Sequence, residues 1–209
     1  MTQHAPLFIV LLPVSAALLC MLFSRIQKNL GSWIVIASIA GAFLSAVSSL
    51  QQVIADGGKA LHYWMGNWQP PLGIEFVIDP ISGALAVLIT FIALLGSLYS
   101  LPFVKEEGWL HIGGYYTLYG LMTVGMCGMV ITGDVFNLYV FLEVMSLSGY
   151  GLIAIGGKKS MLAAFRYLLI GTIGASLYLL GVGYMYALTG TLNMADMAVR
   201  AAEFLNYPL

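Results

Sequence analysis

Long runs of apolar residues, separated by short polar segments, make up most of the chain. A helix that crosses the hydrocarbon core of a bilayer needs about 20 consecutive, mostly apolar residues. The runs that reach roughly this length cover about residues 7–23, 31–54, 81–103, 112–131, 135–155 and 161–188. The pattern therefore predicts an all-α, polytopic membrane protein whose residues 1–209 form a single transmembrane domain.

The longest polar interruption, residues 55–80, contains a short stretch in which apolar and polar residues alternate. This stretch, residues 73–79, predicts a β-strand within a hairpin on the outer face of the membrane. The same loop carries Tyr63, Trp64 and Trp68, which are also typical of an aromatic belt at the membrane surface. Both interpretations stay open, and neither implies catalysis.

A last segment, residues 194–205, has apolar residues at helical spacing. They are Met194, Met197, Ala198, Ala201 and Leu205. This spacing fits an amphipathic helix on the membrane surface, and it fits equally a simple connector.

Small residues recur on the sixth span. They are Gly171, Gly174, Ala175, Gly181 and Gly183. Since small residues let helices approach closely in a membrane, their recurrence predicts close helix packing along this span. A locally irregular helix is the alternative.

The composition excludes the main classes of soluble protein. Apolar residues make up 60% of the chain and charged residues only 8%, whereas a soluble domain carries about 25% charged residues. A soluble enzyme, a nucleic-acid-binding protein and a disordered tail are therefore excluded. The two cysteines, Cys20 and Cys127, have no metal-binding spacing, and the predicted topology puts them near opposite membrane faces, too far apart for a disulfide.

The basic residues predict the orientation of the spans. With the N-terminus outside, the cations on inside loops are Arg25, Lys28, Lys105, Lys158 and Lys159, and those outside are Lys59 and Arg200. Inside loops of membrane proteins carry an excess of Lys and Arg. We therefore expect a multi-pass protein of the cell (inner) membrane with an extracytoplasmic N-terminus.

Two of the charged residues fall inside predicted spans, and Glu143 is the deeper of them. It lies about nine residues into the fifth span, which is about 13 Å at the helical rise. A charge at the bilayer centre costs on the order of 2.5–3.5 kcal/mol on insertion scales, and intramembrane acids often mark ion pathways or proton relays. We predict a proton-loading carboxylate; a structural ion pair or a neutral Glu143 is the alternative.

Arg166 is the second charge inside a predicted span, about five or six residues into the sixth span. It either reaches the nearby membrane surface with its long side chain or partners Glu143. Spans five and six are antiparallel neighbours, so the two side chains could meet directly or through water. A guanidinium beside Glu143 would hold the carboxylate ionised, and its withdrawal would let the carboxylate take up a proton.

Polar residues on the fifth span accompany Glu143. Tyr139, Ser146 and Tyr150 share its helical face, where their hydroxyls can hold water or make ordinary contacts between helices. Asp134, directly before this span, is predicted to cap the helix N-terminus.

The chain has no pattern typical of an enzyme active site or a cofactor site. His4, His62 and His111 are scattered and are interpreted as residues of the membrane surface. We find no ligand set for haem, flavin or an iron–sulfur cluster. We therefore expect no cofactor in this chain.

Four segments carry a resemblance to a known family. They are residues 133–146 (GDVFNLYVFLEVMS), 163–171 (AAFRYLLIG), 190–196 (GTLNMAD) and 66–74 (GNWQPPLGI). Together they are similar to the antiporter-like subunits of respiratory complex I, membrane-bound hydrogenases and Mrp-type Na⁺/H⁺ antiporters. The last two segments are most similar to the D-type subunit of the Mrp antiporters and its hydrogenase relatives.

This resemblance implies a role in proton transfer. Members of the family have about fourteen helices built from two inverted repeats. In the family, a Glu of the fifth helix pairs with lysines further along the chain, and Glu143 matches that Glu. Arg166 matches a position where the family commonly has Lys, and Arg exchanges its proton far less readily. Arg166 is therefore expected to modulate Glu143 and not to carry protons.

The chain also lacks part of the family pattern. The Lys…Pro…His…Trp-Leu-Pro pattern of the family's seventh helix does not occur in these residues. The resemblance therefore implies the N-terminal portion of an antiporter-like fold, which a second chain would complete unless the sequence is a fragment. Other membrane subunits of an Mrp-like, complex I-like or hydrogenase complex are the expected partners.

Two functions follow from these observations. The first is a subunit, or half of one, that moves protons, with cation/proton antiport as one form of that activity. The second is a structural membrane subunit of a respiratory or hydrogenase complex that transports nothing. Enzymatic activity would come only from a parent complex, for example an NADH:quinone oxidoreductase.

Overall fold

The structure, a computed structural model, describes residues 4–27, 29–104 and 109–205. Its elements in chain order are α1 (Ala5–Ile26), α2 (Leu30–Ala55), β1 (Leu61–Trp64), β2 (Glu75–Ile78), α3 (Pro80–Val104), α4 (Trp109–Ile131), α5 (Val135–Ala154), α6 (Lys158–Thr189) and α7 (Met194–Leu205). Within these residues, six helices are long and apolar enough to cross a membrane. The predicted polytopic all-α fold is therefore confirmed.

Five of the six spanning helices extend somewhat beyond the apolar runs from which they were predicted, and α5 ends one residue before its run does. α6, for example, begins at Lys158 and not near residue 161, so its first turn contains basic residues. Gly157, directly before it, has a φ of 102°, a conformation that side-chain-bearing residues rarely adopt. The glycine therefore separates α5 from α6. The basic residues after it are helical, so a change from apolar to polar residues does not by itself mark the end of a helix.

Helices α1 to α4 form the packed core of the molecule. One hydrophobic cluster near the start of α1 contains Ile9, Val53, Ile78 and Ile131, and a second one near its end contains Cys20, Ile39 and Tyr116. Cys20 Sγ lies 3.7 Å from the carbonyl oxygen of Gly113. Cys127 is fourteen residues further along α4, about 21 Å at the helical rise, so no disulfide joins the two cysteines.

Helices α5 and α6 pack on one side of this core and remain largely uncovered. Helix α5 contacts α4, and α6 contacts α5. In the most apolar stretch of α5 and of α6, only 11% of the residues are buried. The corresponding share is 44% in α4 and 39% in α1 and in α2. A wide face of α5 and α6 is therefore open in this chain.

The loop between α2 and α3 contains a small antiparallel sheet. β1 pairs with β2, so that Leu61 lies opposite Ile78 and Trp64 opposite Glu75. The sheet lies at the end of the bundle that also holds the start of α1, the link from α4 to α5 and the link from α6 to α7. We call this end the hairpin face; its side of the membrane stays a prediction.

The predicted inside cations that the structure describes lie at the opposite end of the bundle from the hairpin face. Arg25 is in the last turn of α1, and Lys158 and Lys159 begin α6. Lys28, Lys105, Glu106 and Glu107 lie outside the described residues. The predicted orientation rests on this distribution of basic residues.

Residues 194–205 form helix α7, for which the sequence left two interpretations open. Met197 is buried, Val199 is exposed, and Asp196 pairs with Arg200 at 3.0 Å between Oδ2 and Nη2. The hydrogen bond from Arg200 lowers the pKa of Asp196. With 12 residues, α7 is too short to cross a membrane and has one buried and one polar side.

The start of α3 supplies a test of stability against pH. Ser82 N–H donates to Asp79 Oδ1 at 2.6 Å, and Asp79 N–H donates to Ser82 Oγ at 2.8 Å. The hydrogen bond from Ser82 lowers the pKa of Asp79. The stabilisation is therefore present at neutral pH and is lost as the pH falls below about 4. We expect Asp79→Asn to reduce the dependence of the melting temperature on pH between about 2 and 5, and an unchanged dependence would contradict this assignment.

Candidate functional site

Glu143 is the ninth residue of α5 and lies near its middle. Its side chain is half-buried and makes no hydrogen bond or ion pair within the described residues. Phe136, Val140 and Leu147, on the same helical stripe, are exposed. Glu143 thus lies at the edge of the α5–α6 contact, beside the open face.

The hydroxyl-bearing residues predicted to accompany Glu143 face α6. The rings of Tyr139 and Tyr178 stack with their centroids 6.4 Å apart and an interplanar angle of 5°. Tyr150 is buried, and its ring meets Tyr167 edge-on at 4.8 Å. Ser146, between them along the helix, is half-buried. The structure therefore places Tyr139, Ser146 and Tyr150 on the side of α5 that packs against α6.

The same contacts fix the register of α5 and α6. Tyr139 is level with Tyr178, and Tyr150 is level with Tyr167 and Gly171, where its hydroxyl group lies. Glu143 is therefore roughly level with Ala175. Arg166 is nine residues from Ala175, a separation of about 13 Å along the helix axis.

Arg166 also points away from α5. The buried residues of α6 among those described are Ala164, Ala175, Val182 and Thr189, which form one stripe along the helix. Arg166 lies two positions after Ala164, about 200° around a helix that turns about 100° per residue. It is exposed and makes no ion pair within the described residues. The structure therefore does not bring Glu143 and Arg166 together, and their functional pairing stays a prediction.

Asp134 caps α5, as the sequence predicts. Its Oδ1 accepts a hydrogen bond of 2.7 Å from the backbone N–H of Asn137. The Asn137 side chain in turn donates to Thr132 Oγ1 at 3.0 Å. The start of the helix that carries Glu143 is thus fixed by side chains of its own link.

Loss of this cap should destabilise the protein measurably. Replacing an N-cap Asp by Ala costs about 0.5–2 kcal/mol, and we expect Asp134→Ala to lower the free energy of unfolding by about 1 kcal/mol. Asp134→Asn keeps an acceptor and should cost much less. Denaturation in mixed detergent micelles measures both, and equal losses would show that the charge and not the cap stabilises this link.

A second polar cluster, on the hairpin face, was not expected from the sequence. Glu75 is buried, with 4% of its surface exposed. Its Oε1 accepts from Asn193 Nδ2 at 2.6 Å, and its Oε2 lies 3.1 Å from His62 Nδ1. The sequence alone assigns Glu75 to the outer loop and His62 to the membrane surface, with no contact between them.

Backbone pairing places this cluster at the start of α5. Gly133 N–H donates to the carbonyl oxygen of Glu75 at 3.0 Å, and Met194 N–H donates to the carbonyl oxygen of Gly133 at 2.9 Å. Val135 N–H also donates to the carbonyl oxygen of Leu192 at 2.9 Å. The α4–α5 link therefore runs between β2 and the segment before α7, like the middle strand of a small sheet.

Gly133 makes this arrangement sterically feasible. A Cβ atom at this position would lie 2.8 Å from Val77 Cγ2 and 3.0 Å from Glu75 Cγ. The Glu75 side chain passes over the glycine to reach Asn193 on the other side of the link. The Gly-Asp pair before the fifth span is thus the feature of the sequence that indicates a close contact at this link. It does not identify Glu75 as the residue in contact.

No group of three or more His, Cys, Asp or Glu side chains suited to a metal ion occurs among the residues that the structure describes. The polar side chains near Glu143 and Glu75 are carboxylates, hydroxyls, the amide of Asn193 and the imidazole of His62. Such groups can hold and pass protons and can attract cations.

A family model described as "NADH:quinone oxidoreductase/Mrp antiporter, TM" matches residues 132–208. This range begins in the α4–α5 link and includes Glu143 and Arg166. It therefore covers the helices with the open face.

Two curated relatives match nearly the whole chain. NADH-quinone oxidoreductase subunit N of Desulforudis audaxviator is 43% identical over 209 residues, which is 100% of this chain and 42% of the relative. The D-type subunit of the Na⁺/H⁺ antiporter of Bacillus subtilis is 33% identical over 195 residues, 93% of this chain and 38% of the relative. The chain thus spans about two-fifths of the length of these relatives.

Two solved structures have the same fold. A chain of the membrane-bound sulfane sulfur reductase, an archaeal respiratory membrane complex, superimposes with a TM-score of 0.86 at 32% identity, covering 94% of this chain and 40% of that one. A chain of the Mrp complex from Dietzia sp. gives a TM-score of 0.78 at 25% identity, covering 96% and 39%. The protein is therefore a multi-pass membrane protein that belongs to the family of antiporter-like subunits found in complex I and Mrp antiporters.

Proposed function

We propose that this chain takes part in proton translocation as part of an antiporter-like subunit in a larger membrane complex. Relatives named as subunits of an NADH-quinone oxidoreductase and of an Na⁺/H⁺ antiporter support a role in coupled ion movement. Exchange of a cation for protons is the form of this activity that the antiporter relatives suggest. Glu143 is the proposed proton-loading group.

The position of Glu143 is the observation that carries this proposal. A carboxylate in the middle of a spanning helix is costly and is usually functional. Glu143 has no partner of opposite charge within the described residues, so nothing in this part of the chain holds it permanently ionised. A carboxylate in that situation can alternate between the protonated and the ionised form.

Arg166 is proposed to act on Glu143 indirectly. Its distance along the helix axis and its direction exclude direct contact in this arrangement. Arginine keeps its charge at all relevant pH values, so Arg166 can stabilise a charge on a neighbouring helix or an ordered chain of water. Movement of that charge would then change the proton affinity of Glu143.

Other membrane helices are the proposed partners of the open face. Small and hydroxyl-bearing residues favour contact between helices in a membrane, and they are frequent among the exposed residues of α6. These residues are Thr172, Gly174, Ser176, Gly181 and Gly183. By contrast, the exposed residues of α3, such as Ile81, Leu88 and Ile92, are large and aliphatic and suit lipid. We propose that the open face of α5 and α6 contacts further helices of the complex.

The proposed location is the cell membrane, with the hairpin face and the N-terminus outside. The cations at the other end of the described bundle support this orientation through the positive-inside rule. Cysteine labelling of a residue on the hairpin face with a membrane-impermeant reagent in intact cells would distinguish the two orientations.

Transport by the complex assembled with this chain tests the proposed function. Proton movement and Na⁺ movement are measured separately in sealed vesicles, for the native chain and for Glu143→Gln. Loss of proton movement with normal assembly supports the proposal. Unimpaired transport would instead favour the structural role.

A further inference from the structure

We propose that Glu75 is a positioning residue that fixes the start of α5, and that protonation of His62 controls how firmly it does so. This inference rests on the proposed role of Glu143, because the position of α5 matters for transport only if that helix carries the proton-loading group. The three side chains His62, Glu75 and Asn193 are called the Glu75 cluster below.

The Glu75 cluster joins three separate parts of the chain. His62 belongs to β1, Glu75 to β2, and Asn193 to the segment between α6 and α7. The carboxylate of Glu75 passes over Gly133, at the link that begins α5. A change in these hydrogen bonds is therefore transmitted to the first residues of α5 and to the end of α6.

The buried position of Glu75 makes its partners important. A buried carboxylate that loses a hydrogen-bond partner pays the cost of its own desolvation. Asn193 is also buried and always neutral, so its hydrogen bond is the same at every pH. His62 is different, because 48% of its side chain is exposed and imidazole can gain a proton between about pH 5 and 8.

The ionisable groups around Glu75 have other partners. Asp134 caps α5, Asp79 bonds to Ser82, Asp196 pairs with Arg200, and His4 lies 3.1 Å from the Tyr63 hydroxyl. Asp56 and Lys59, after α2, are exposed. Among the described residues, His62 is therefore the titratable group bonded to the Glu75 carboxylate.

The sign of the effect follows from these charges. When the pH on the hairpin face falls, His62 becomes a cation and its hydrogen bond to Glu75 becomes a charged pair. The neutral imidazole already bonds to an ionised carboxylate, and a charge on both partners strengthens this bond through their Coulomb attraction. The link that begins α5 is thus held more firmly at low pH and less firmly at high pH.

Hydrogen exchange of the assembled complex measures this directly. The reporters are the backbone N–H groups of Gly133, Val135 and Met194, which bond across the link. After correction for the intrinsic pH dependence of exchange, we expect their protection in the native chain to rise about two- to fivefold as the pH falls from 8 to 5, the range for a partly exposed pair. In His62→Gln this rise should be absent.

Transport as a function of pH gives the second readout. The pH on the hairpin face is varied while the pH on the other side stays fixed. The native complex should show a step between about pH 5 and 8 that His62→Gln lacks. His4→Gln is the matched control, because His4 lies on the same face and contacts Tyr63 but not Glu75; it should keep the step.

Variants of Glu75 separate positioning from simple loss of structure. Glu75→Gln keeps a side chain of the same length that can bond to Asn193 but removes the charge, so protection should persist without its pH dependence. Glu75→Ala removes the hydrogen bonds, and protection of the three reporter amides should fall at every pH.

The outcomes distinguish this inference from the proposed function. A pH step in both protection and transport that persists in His62→Gln and in Glu75→Gln would overturn the inference, even if Glu143→Gln abolishes transport. Normal transport in Glu143→Gln would overturn the proposed function itself, whereas the hydrogen-exchange result would still report whether His62 controls the link.

Discussion

Replacing Glu143 by glutamine is expected to lower proton transport by the assembled complex about a hundredfold, the lower range for loss of a positioned proton-transfer group. Glutamine has nearly the same shape as glutamate but cannot take up or release a proton. Since Glu143 makes no ion pair or hydrogen bond within the described residues, its replacement breaks no described contact. Assembly and thermal stability should therefore remain close to those of the native complex.

The controls for Glu143→Gln use the conservative carboxylate and a nearby position. Glu143→Asp keeps a titratable group that is shorter by one methylene and should retain part of the transport. Leu147→Gln introduces the same amide one helical turn away on the same exposed stripe and should leave transport largely intact. Loss of transport in Leu147→Gln to the same extent would mean that any amide on this face disrupts the complex.

Replacing Gly125 by valine is expected to have the largest effect on stability. A Cβ atom at this position in α4 would lie 2.6 Å from Met145 N and 2.7 Å from the carbonyl oxygen of Phe141. Both atoms belong to the backbone of α5, which cannot move aside as a flexible side chain can. The two helices must separate, and overpacking of this kind costs about 1–3 kcal/mol or more.

The matched control for Gly125 is Gly174, on the open face of α6. A Cβ atom at Gly174 would meet nothing within 4 Å in this chain. Gly174→Val should therefore leave the isolated chain as stable as before, and any effect should appear only in assembly with partner helices. Unfolding in detergent and the yield of assembled complex measure the two separately. Equal instability of both variants would contradict the described α4–α5 contact.

The small residues of the sixth span differ in their surroundings, although their recurrence predicts close packing for all of them alike. At Gly171 a Cβ atom would collide with the Tyr150 hydroxyl, in agreement with close packing. Gly174, Gly181 and Gly183 instead face open space in this chain. Apolar periodicity does not distinguish these positions, because every side of a membrane helix is apolar.

The same physical reason explains which parts of the site could be predicted. The depth of Glu143 followed from counting residues along a helix, and the cap formed by Asp134 followed from local chemistry. The direction of Arg166 did not follow, because the rotation of α6 depends on aromatic contacts such as Tyr139 with Tyr178. A span that is apolar on all sides carries little information about which side packs.

Glu75 shows a different limit. Alternation in residues 73–79 predicts a strand in the outer loop, but it does not predict that Glu75 is buried. In the structure, both Glu75 and its neighbour Phe76 are buried, because the α4–α5 link covers the side that would otherwise be polar. The burial depends on residues almost 60 and 120 positions away, and local patterns contain no signal for such contacts.

The two ends of α5 differ mechanically. Its first residues are held by backbone hydrogen bonds on both sides, whereas its last residues lead into Gly156 and Gly157, two glycines beside the start of α6. A tilt of α5 therefore has its pivot on the hairpin face, and it requires α4, which contacts the α5 backbone at Gly125, to move with α5. Because Glu143 lies about 13 Å from that pivot, a tilt of about 10° would displace its carboxyl group by about 2 Å. A displacement of this size is large enough to break a hydrogen bond or to allow a new one to form.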